Sequence, residues 1–274
     1  MKRHYPCDLE AKQLIVEIGK RMYAKNMVAA NDGNISVKVA DDMIWATPTG
    51  VSKGFMKEDE LVKMKLDGTI VSMGRLKPSS EIKMHLRVYN ENPEIGAVTH
   101  AHPPVCTGFA IAGIALDKAI YSEALINLGA VPCVHYETPG SQALADAVAP
   151  YCRDYNGVLL ANHGALSWGR DLMEAYFRLE SMEHYAMVTM LTGSLIGKAN
   201  ALSAEQVNEL LEIRRGLGYS SGGASLRTAA ASGTEETDAS AHECACPDPR
   251  CGIMTERGIR RLADAVAEKL KEQN

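Results

Sequence analysis

The sequence predicts an α/β domain in which helices cover a central sheet. Short apolar runs with strand character alternate with amphipathic helical patterns over residues 1–219, and turn-forming pairs separate them. In a chain of 274 residues, a hydrophobic content of 46% is enough for one substantial core. We therefore expect one catalytic-size domain rather than a string of small modules.

The amino-terminal region is predicted to be one helix followed by strands. Leu14, Ile15 and Ile18 recur at helical spacing between Asp8 and about Met27, and Asp8 is placed to cap the first turn. The stretches ISVKV, MIWATP and TIVSM have strand character, and Asn-Asp-Gly, Asp-Asp and Asp-Gly turn signals separate them. The first part of the domain is therefore expected to be rich in strands.

Helices and strands alternate in the rest of the domain. The stretch SSEIKMHLRVYNENP predicts a helix that begins at Ser79 or Ser80 and ends before Pro93. GAVTHAH predicts a strand, and PPVCTGFAIAG predicts a helix that begins on its prolines. VPCVHY and GVLLANHGALSWG add two or three strands, with SQALADAVAPYC as a helix between them and DLMEAYFRLESMEHYAMVTMLTG as the longest helical pattern.

Charge and cysteine content limit the classes of function. The formal charge is −5, from 34 acidic and 29 basic residues, and no long basic run suggests a nucleic-acid surface. The amino terminus becomes charged before an apolar signal segment can form, and no stretch is apolar enough to span a membrane. The seven cysteines include four scattered among apolar neighbours, Cys7, Cys106, Cys133 and Cys152. We expect a cytoplasmic protein with reduced thiols that acts on a small molecule.

Three histidines and one glutamate are candidates for a metal site. In a strand, residues two apart project to the same side, so His100 and His102 of the AVTHAH stretch would share one face. His163 follows another apolar strand and precedes Gly164, where a side chain is exposed at a strand end. Three imidazoles leave a zinc ion open to substrate, and Glu81 is the candidate carboxylate.

Each of these residues also has a structural explanation. The two histidines of the strand could be hydrogen-bonded separately, and His163 could satisfy a turn. Glu81 could simply favour the amino terminus of its helix electrostatically. Residue spacing alone does not choose between these explanations.

Five ordered segments, NDGNISVKV, TPTGVSKG, KPSSEIKMHLRVY, AVTHAHPPVCTGFA and ANHGALSWG, resemble the class II aldolase/adducin family, and within it the L-fuculose-1-phosphate aldolase type. The resemblance covers roughly Asp8 to Tyr219. It implies a mostly antiparallel sheet with helices on both sides. It also implies a homotetramer whose active sites lie between neighbouring subunits.

The same resemblance implies roles for particular residues. It places zinc ligands at His100, His102 and His163, with Glu81 as a fourth ligand or as the acid/base. Hydroxyl groups, an amide and a flexible glycine suit an anion. The resemblance places the phosphate group of a small phosphorylated sugar at Asn34, Thr49, Gly50, Ser79 and Ser80.

Three further residues are less firmly assigned. The resemblance places a catalytic tyrosine from the adjacent subunit nineteen residues after His102, at Tyr121; the alternative is a tyrosine satisfied locally at a strand end. Tyr219 matches a second family tyrosine only poorly. Lys53 either approaches the phosphate or lies in solvent near it.

The activity that the resemblance implies is zinc-dependent cleavage of a deoxy-ketose 1-phosphate to dihydroxyacetone phosphate and a short aldehyde such as lactaldehyde. A pentulose-phosphate 4-epimerase of the same family is the alternative, although an aspartate usually replaces Glu81 there. A thioribulose-phosphate dehydratase is a further branch. A non-catalytic, adducin-like interaction module is the alternative from another class.

The carboxyl-terminal residues form two further predicted segments. Residues 220–251 read as a flexible linker, rich in Ser, Gly, Ala and Thr, with a Cys-rich end. Residues 252–274 predict an amphipathic helix that resembles the encapsulation peptides of bacterial microcompartment enzymes and could instead pack on its own tetramer or self-associate. The end of the linker contains His242, Cys244, Cys246 and Cys251. These residues either bind a metal, or the three cysteines are reduced thiols without one.

Overall fold

One eight-stranded sheet organises the part of the chain that the structure describes, residues 4–193, 197 and 199–219 of a computed structural model. The strands are β1 (Asn34–Ala40), β2 (Met43–Ala46), β3 (Val62–Lys65), β4 (Ile70–Ser72), β5 (Ala97–Ala101), β6 (Cys133–Val134), β7 (Gly157–Leu160) and β8 (Gly164–Gly169). Their order across the sheet is β4-β3-β2-β1-β5-β8-β7-β6. Neighbouring strands are antiparallel except β6 and β7, which are parallel. The mostly antiparallel sheet is therefore confirmed.

Seven α-helices accompany this sheet in the described residues. They are α1 (Asp8–Ala24), α2 (Ile82–Glu91), α3 (Pro104–Ala112), α4 (Ser122–Asn127), α5 (Gln142–Val148), α6 (Leu172–Leu191) and α7 (Ala204–Gly216). Short 3-10 turns lie at Glu58–Glu60 and Ala149–Tyr151. None of the helices described is both long and apolar enough to cross a membrane.

The helices cover both faces of the sheet and form an apolar core on each, and a smaller apolar cluster lies between α4 and α7. Residues of α1, α3 and α6 pack on one face, where Ile15, Ala110 and Leu179 are fully buried. Residues of α2 and α5 pack on the other face, where Met84 and Val148 are fully buried. Because alternate strand residues point to opposite faces, strands β2, β5, β7 and β8 each contribute to both cores.

Strand β5 shows how this alternation directs the histidines. Ala97 and Ala101 belong to the core beneath α1, α3 and α6, whereas Val98 belongs to the core beneath α2 and α5. His100 has the parity of Val98, so its ring points to the α2 side of the sheet. This places it on the same side as the amino terminus of α2.

The predicted start of α2 needs a correction. The helix begins at Ile82 with Glu81 as its N-cap, rather than at Ser79 or Ser80. The chain before it is held outside helical geometry because Pro78 bridges to Pro48 and the Ser79 amide donates to the Thr47 carbonyl, 3.2 Å away. Glu81 therefore lies at the junction between this loop and the helix.

Some elements were not foreseen from the sequence. Strand β3 and helices α4 and α7 lie in stretches to which no element was assigned. The two predicted carboxyl-terminal segments, 220–251 and 252–274, lie outside the described residues.

Candidate metal centre

The three candidate histidines meet at one end of the central strands. His100 lies in β5 and pairs with Asn34 at the start of β1, while His102 directly follows β5. His163 lies in the turn between β7 and β8, and β8 begins beside the end of β5, where Ala165 pairs with Ala101. Antiparallel pairing therefore gathers residues from distant parts of the sequence at one edge.

The histidine rings converge on a common centre. One ligand nitrogen from each of His100, His102 and His163 lies within 4.8 Å of the other two, and the ring centroids are 4.7–5.0 Å apart. The Nε2 atoms of His100 and His102 are 3.2 Å apart. Groups of at least three His, Cys, Asp or Glu side chains can hold a metal ion when their ligand atoms lie this close together. Among the described residues, the histidine trio is the group that meets this condition.

Hydrogen bonds on the far side of two rings define which nitrogen faces this centre. Nδ1 of His100 donates to the Ala165 carbonyl at 2.9 Å, and Nδ1 of His102 donates to Asp32 Oδ2 at 3.2 Å. A neutral imidazole with its proton on Nδ1 presents the lone pair of Nε2. Both Nε2 lone pairs are therefore directed towards the centre, as in metal-binding histidines supported by carboxylate or carbonyl acceptors.

Glu81 contacts two of the three rings. Its Oε1 lies 3.1 Å from His163 Nε2, and its Oε2 lies 3.4 Å from His100 Nε2. Burial would raise the pKa of Glu81, but the facing His100 and His163 rings outweigh this and hold the pKa well below its usual range. The carboxylate is consequently ionised beside the imidazole nitrogens.

The unsatisfied polar atoms of the cluster test whether a cation fits there. Glu81 Oε1 and His163 Nδ1 are buried without a hydrogen-bond partner. Burial and the neighbouring imidazoles of His100 and His163 lower the pKa of His102 to about 4, so this ring is neutral near pH 7. Two Nε2 lone pairs 3.2 Å apart repel each other unless a cation or a proton lies between them. Three imidazoles and a carboxylate match the donor set and open geometry of a catalytic zinc site.

Two glycines allow the strand ends to approach this closely. A Cβ atom on Gly164 would lie 2.5 Å from the Ala101 carbonyl oxygen and 2.6 Å from Cδ2 of His102. Gly33 has a φ of +76°, and a Cβ there would lie 2.8 Å from the His100 carbonyl oxygen. Any larger residue at either position would push a histidine of the trio out of place.

The two candidate phosphate loops are joined by backbone hydrogen bonds. The Thr49 amide donates to the Lys77 carbonyl at 2.9 Å, and the Ser79 amide donates to the Thr47 carbonyl at 3.2 Å. Ser79 Oγ in turn accepts from the Glu81 amide at 3.3 Å. The TPTG and PSSE segments therefore form one polar surface that adjoins Glu81.

The remaining candidate phosphate residues lie on this surface or, in the case of Asn34, buried directly beneath it. Nδ2 of Asn34 donates to Ser79 Oγ at 3.2 Å. Gly50 has a φ of +76°, and its α-carbon faces open space. Thr49, Gly50 and Ser80 are exposed to solvent. Asn34 and Ser79 therefore contact each other and Glu81, while Thr49, Gly50 and Ser80 lie on the exposed parts of the two loops.

Tyr121 stands apart from this cluster within one chain. It is the N-cap residue of α4, and its ring packs against His184 and Tyr185, with centroids 5.6 and 6.4 Å away. Among the described contacts, no hydrogen bond or ring contact joins it to the histidine trio.

The side chains of Tyr219 and Lys53 both contact other groups of the protein. The Tyr219 ring lies over the guanidinium groups of Arg170, Arg178 and Arg214, at 5.6, 5.6 and 5.2 Å. Lys53 is buried rather than exposed to solvent. Its Nζ donates to the carbonyls of Asn31 and Val51. Burial lowers the pKa of Lys53 to about 8.

Two site residues were not identified from the sequence. Asp32, which accepts from His102, was read only as part of a turn signal, and His85 was read only as a helix residue. The available signal for His85 was its position four residues after Glu81, which is one helical turn along α2.

Comparison with known proteins agrees with this geometry. Residues 13–190 match the family described as "Class II Aldolase and Adducin N-terminal domain". The chain belongs to this family. The family match begins within α1 and ends near the end of α6, and it includes all three histidines and Glu81.

Three curated members of the family differ in their named activities. The L-fuculose phosphate aldolase of Methanocaldococcus jannaschii is 34% identical over 180 residues, which cover 66% of this chain and 96% of the relative. The 5-deoxy-D-ribulose 1-phosphate aldolase of Bacillus thuringiensis is 32% identical and covers 76% of this chain and 96% of the relative. The 3-oxo-tetronate 4-phosphate decarboxylase of Pectobacterium atrosepticum is 30% identical and covers 73% and 92%.

A solved family structure also has the same fold. A structure of L-fuculose 1-phosphate aldolase superposes with a TM-score of 0.70 at 28% identity and covers 80% of this chain and all of the other chain. The α/β fold and the relationship to the L-fuculose-phosphate aldolase type are therefore confirmed.

Proposed function

We propose that this protein is a zinc-dependent aldolase that cleaves a deoxy-ketose 1-phosphate of the L-fuculose 1-phosphate type. The products are dihydroxyacetone phosphate and a short aldehyde such as lactaldehyde. The observation that carries the proposal is the convergence of His100, His102 and His163 on one centre, with Glu81 in contact with two of them. The two relatives named as sugar-phosphate aldolases, at 34% and 32% identity, support it.

The histidine trio would hold the metal ion, with Glu81 as a carboxylate that binds it or acts as the acid/base. Bound there, Zn²⁺ would supply a Lewis acid for the negative charge that develops on the substrate oxygens. The carbonyl of Ala165 and the carboxylate of Asp32 keep two of the rings in the required tautomer. The chain needs no lysine Schiff base for this chemistry.

Glu81 and Tyr121 would move protons. In the condensation direction, the Glu81 carboxylate removes a proton from C3 of dihydroxyacetone phosphate, and the Tyr121 hydroxyl protonates the aldehyde oxygen as the C3–C4 bond forms. The lowered pKa of Glu81 keeps it ionised as a base. Burial and nearby Glu123 raise the pKa of Tyr121, which keeps it protonated as an acid. Cleavage reverses both transfers.

The phosphate group would bind on the polar surface formed by the two loops. Hydroxyl groups donate to phosphate oxygens there, the Asn34 amide orients the Ser79 hydroxyl, and Gly50 leaves space for close approach of the backbone. Binding the remote phosphate aligns the reacting carbons beside Glu81. The residues in question are Asn34, Thr49, Gly50, Ser79 and Ser80.

A homotetramer with active sites between subunits is part of the same proposal, since Tyr121 must come from a neighbouring chain to reach the histidine trio. Large apolar side chains on one long helix support such contacts, because Phe177, Met187 and Leu191 of α6 are 49%, 40% and 42% exposed. Analytical ultracentrifugation of the full chain measures this. A monomer at micromolar concentration would contradict it.

A decarboxylase of a phosphorylated 3-oxo acid is the second candidate function, because one relative with that name is 30% identical over 204 residues. Loss of carbon dioxide and retro-aldol cleavage both leave a carbanion next to a carbonyl group, so the same site could serve either reaction. The 4-epimerase alternative also shares this step. The three reactions differ in their products.

A coupled assay for dihydroxyacetone phosphate tests the proposal on fuculose, rhamnulose and 5-deoxyribulose 1-phosphates. We expect release from at least one substrate, loss of activity with a chelator, and recovery with Zn²⁺. Activity that survives complete metal removal would contradict the mechanism. Carbon dioxide release from a 3-oxo acid phosphate, or an epimer without cleavage, would instead favour the corresponding alternative.

The carboxyl-terminal segment adds a proposal about location. We propose that residues 252–274 dock this cytoplasmic enzyme to a microcompartment shell protein through an apolar stripe that includes Leu262, Val266 and Leu270. Deletion from Ser220 onward should keep aldolase activity and abolish binding to shell protein in a pull-down. Unchanged shell binding after the deletion would refute it.

A further inference from the structure

A row of buried polar side chains leads from helix α2 to Glu81. The Tyr89 hydroxyl lies 2.8 Å from Ser36 Oγ, which lies 2.7 Å from Nδ1 of His85. Nε2 of His85 lies 2.5 Å from Asn34 Oδ1, and Nδ2 of Asn34 donates to Glu81 Oε2 at 2.9 Å. Tyr89, Ser36, His85 and Asn34 are each no more than 1% exposed. Because burial of polar groups is costly, a complete row of this kind needs a reason beyond packing.

The contacts of Asn34 fix the direction of the hydrogen bonds. Its amide nitrogen faces Oε2 of Glu81 at 2.9 Å and Oγ of Ser79 at 3.2 Å, so its amide oxygen is the atom that faces His85. That oxygen in turn requires a proton on Nε2 of His85. In a neutral ring Nδ1 then accepts from Ser36, and Ser36 accepts from Tyr89.

His85 stays neutral in this arrangement. Its ring is fully buried, and burial together with the nearby His100 lowers the pKa of His85 to about 3. A neutral ring has one donor and one acceptor, which matches the one acceptor and one donor that it faces. Each donor in the row from the Tyr89 hydroxyl to Oε2 of Glu81 therefore faces an acceptor.

We propose that His85 is a positioning residue that orients the Asn34 amide, so that the nitrogen of Asn34 faces Glu81 and Ser79 rather than away from them. His85 does not touch the substrate and acts only through Asn34. This inference rests on the proposed function, since it assigns Glu81 to proton transfer and Asn34 to phosphate binding. Without the His85 donor, the buried Asn34 oxygen loses its partner, and the amide is free to rotate its nitrogen away from Glu81 and Ser79.

Two substitutions at one position separate the two hydrogen bonds of His85. In His85→Gln the side-chain amide reaches the place of Nε2 and keeps the donor to Asn34. In His85→Asn the amide reaches only the place of Nδ1 and keeps the contact with Ser36. Both variants lose the imidazole ring, so a purely structural role would affect them similarly.

The readouts are kcat and KM for sugar-phosphate cleavage, the Kd for inorganic phosphate by calorimetry, and the melting temperature. For His85→Asn we expect a loss of about tenfold in kcat/KM, together with weaker phosphate binding, because one buried hydrogen bond is lost. For His85→Gln we expect both quantities to stay within about twofold of the wild type. Equal losses in both variants, or unchanged kcat/KM and phosphate binding in His85→Asn, would overturn the proposal.

A third variant covers the case in which neither His85 variant folds. Tyr89→Phe keeps the ring and removes only the hydroxyl at the far end of the row, and we expect a two- to threefold loss in the same direction. If neither kcat/KM nor the phosphate Kd changes in this variant, the proposed role of the hydrogen-bonded row in orienting Asn34 is contradicted. A wild-type protein that cleaves no sugar phosphate would refute the proposed function, while the phosphate titration would still decide whether His85 positions Asn34.

Discussion

At the scale of single residues, the proposed centre depends on partners outside the trio as much as on the three rings. The Ala165 carbonyl and the Asp32 carboxylate hold the protons of two imidazoles away from the centre. Asn34 and the buried row behind it hold the Glu81 carboxylate in place. Such supporting groups determine how strongly histidines bind a metal.

Replacing Asp32 should weaken metal binding without removing a ligand. Asp32→Asn keeps an acceptor for His102 Nδ1 but loses the negative charge, so we expect Zn²⁺ affinity to fall by about tenfold. Competition with a chromophoric chelator measures the affinity. Asp42→Asn is the matched control, because it removes an equal charge from an exposed carboxylate in the turn between β1 and β2. Equal affinities in the two variants would show that Asp32 does not support His102.

The residues of the centre could be predicted to different degrees. His100, His102, His163 and Glu81 were identified from the sequence and lie together in the structure, although their roles remain predictions. Asp32 and His85 were missed because a turn signal and a helix pattern explained them sufficiently. Sequence patterns report neighbours along the chain, whereas these hydrogen bonds join residues 51 and 70 positions apart.

At the scale of secondary-structure elements, strand β5, which carries His100 and ends just before His102, is anchored by the helix that follows it. Helix α3 begins with prolines directly after His102, so its first free amide groups belong to Val105 and Cys106. Both donate to the carboxylate of Glu183 on α6, at 3.0 and 2.8 Å. A carboxylate at this end of α3 also interacts favourably with the helix dipole.

Replacing Glu183 should therefore destabilise the fold. Glu183→Gln removes the charge and one of the two acceptors, and we expect the free energy of unfolding to fall by about 1 kcal/mol. Urea denaturation measures the change. Glu180→Gln on the same helix is the control, because its ion pair with Lys25 is solvent-exposed and should contribute less. A larger loss in the control would contradict this role of Glu183.

Element boundaries show where sequence patterns fail. The start of α2 was placed too early because Ser79 and Ser80 resemble helix caps, whereas tertiary hydrogen bonds hold that loop against the TPTG segment. Strand β3 was missed although Val62 and Met64 alternate with Lys63 and Lys65 as expected for a half-buried strand. Helix α7 was missed although Ser203 and Gln206 form a capping box at its start.

At the scale of the whole molecule, antiparallel pairing of β1, β5 and β8 brings residues that are far apart in the sequence into one compact site. The alternation of helices and strands predicted the α/β class correctly. The antiparallel arrangement came only from the family resemblance, because periodicity does not report strand direction. It is this arrangement that brings the start of β1, the end of β5 and the start of β8 to one edge.

The most direct test is a Zn²⁺ titration of the metal-free full-length chain, the His163→Ala variant, and a variant with Cys244, Cys246 and Cys251 changed to Ser. We predict one tight zinc ion per chain in the wild type and in the Ser variant. His163→Ala should lose that tight binding while its circular dichroism stays unchanged. Tight binding that survives in His163→Ala, or is absent from the wild type, would contradict a metal centre at the histidine trio.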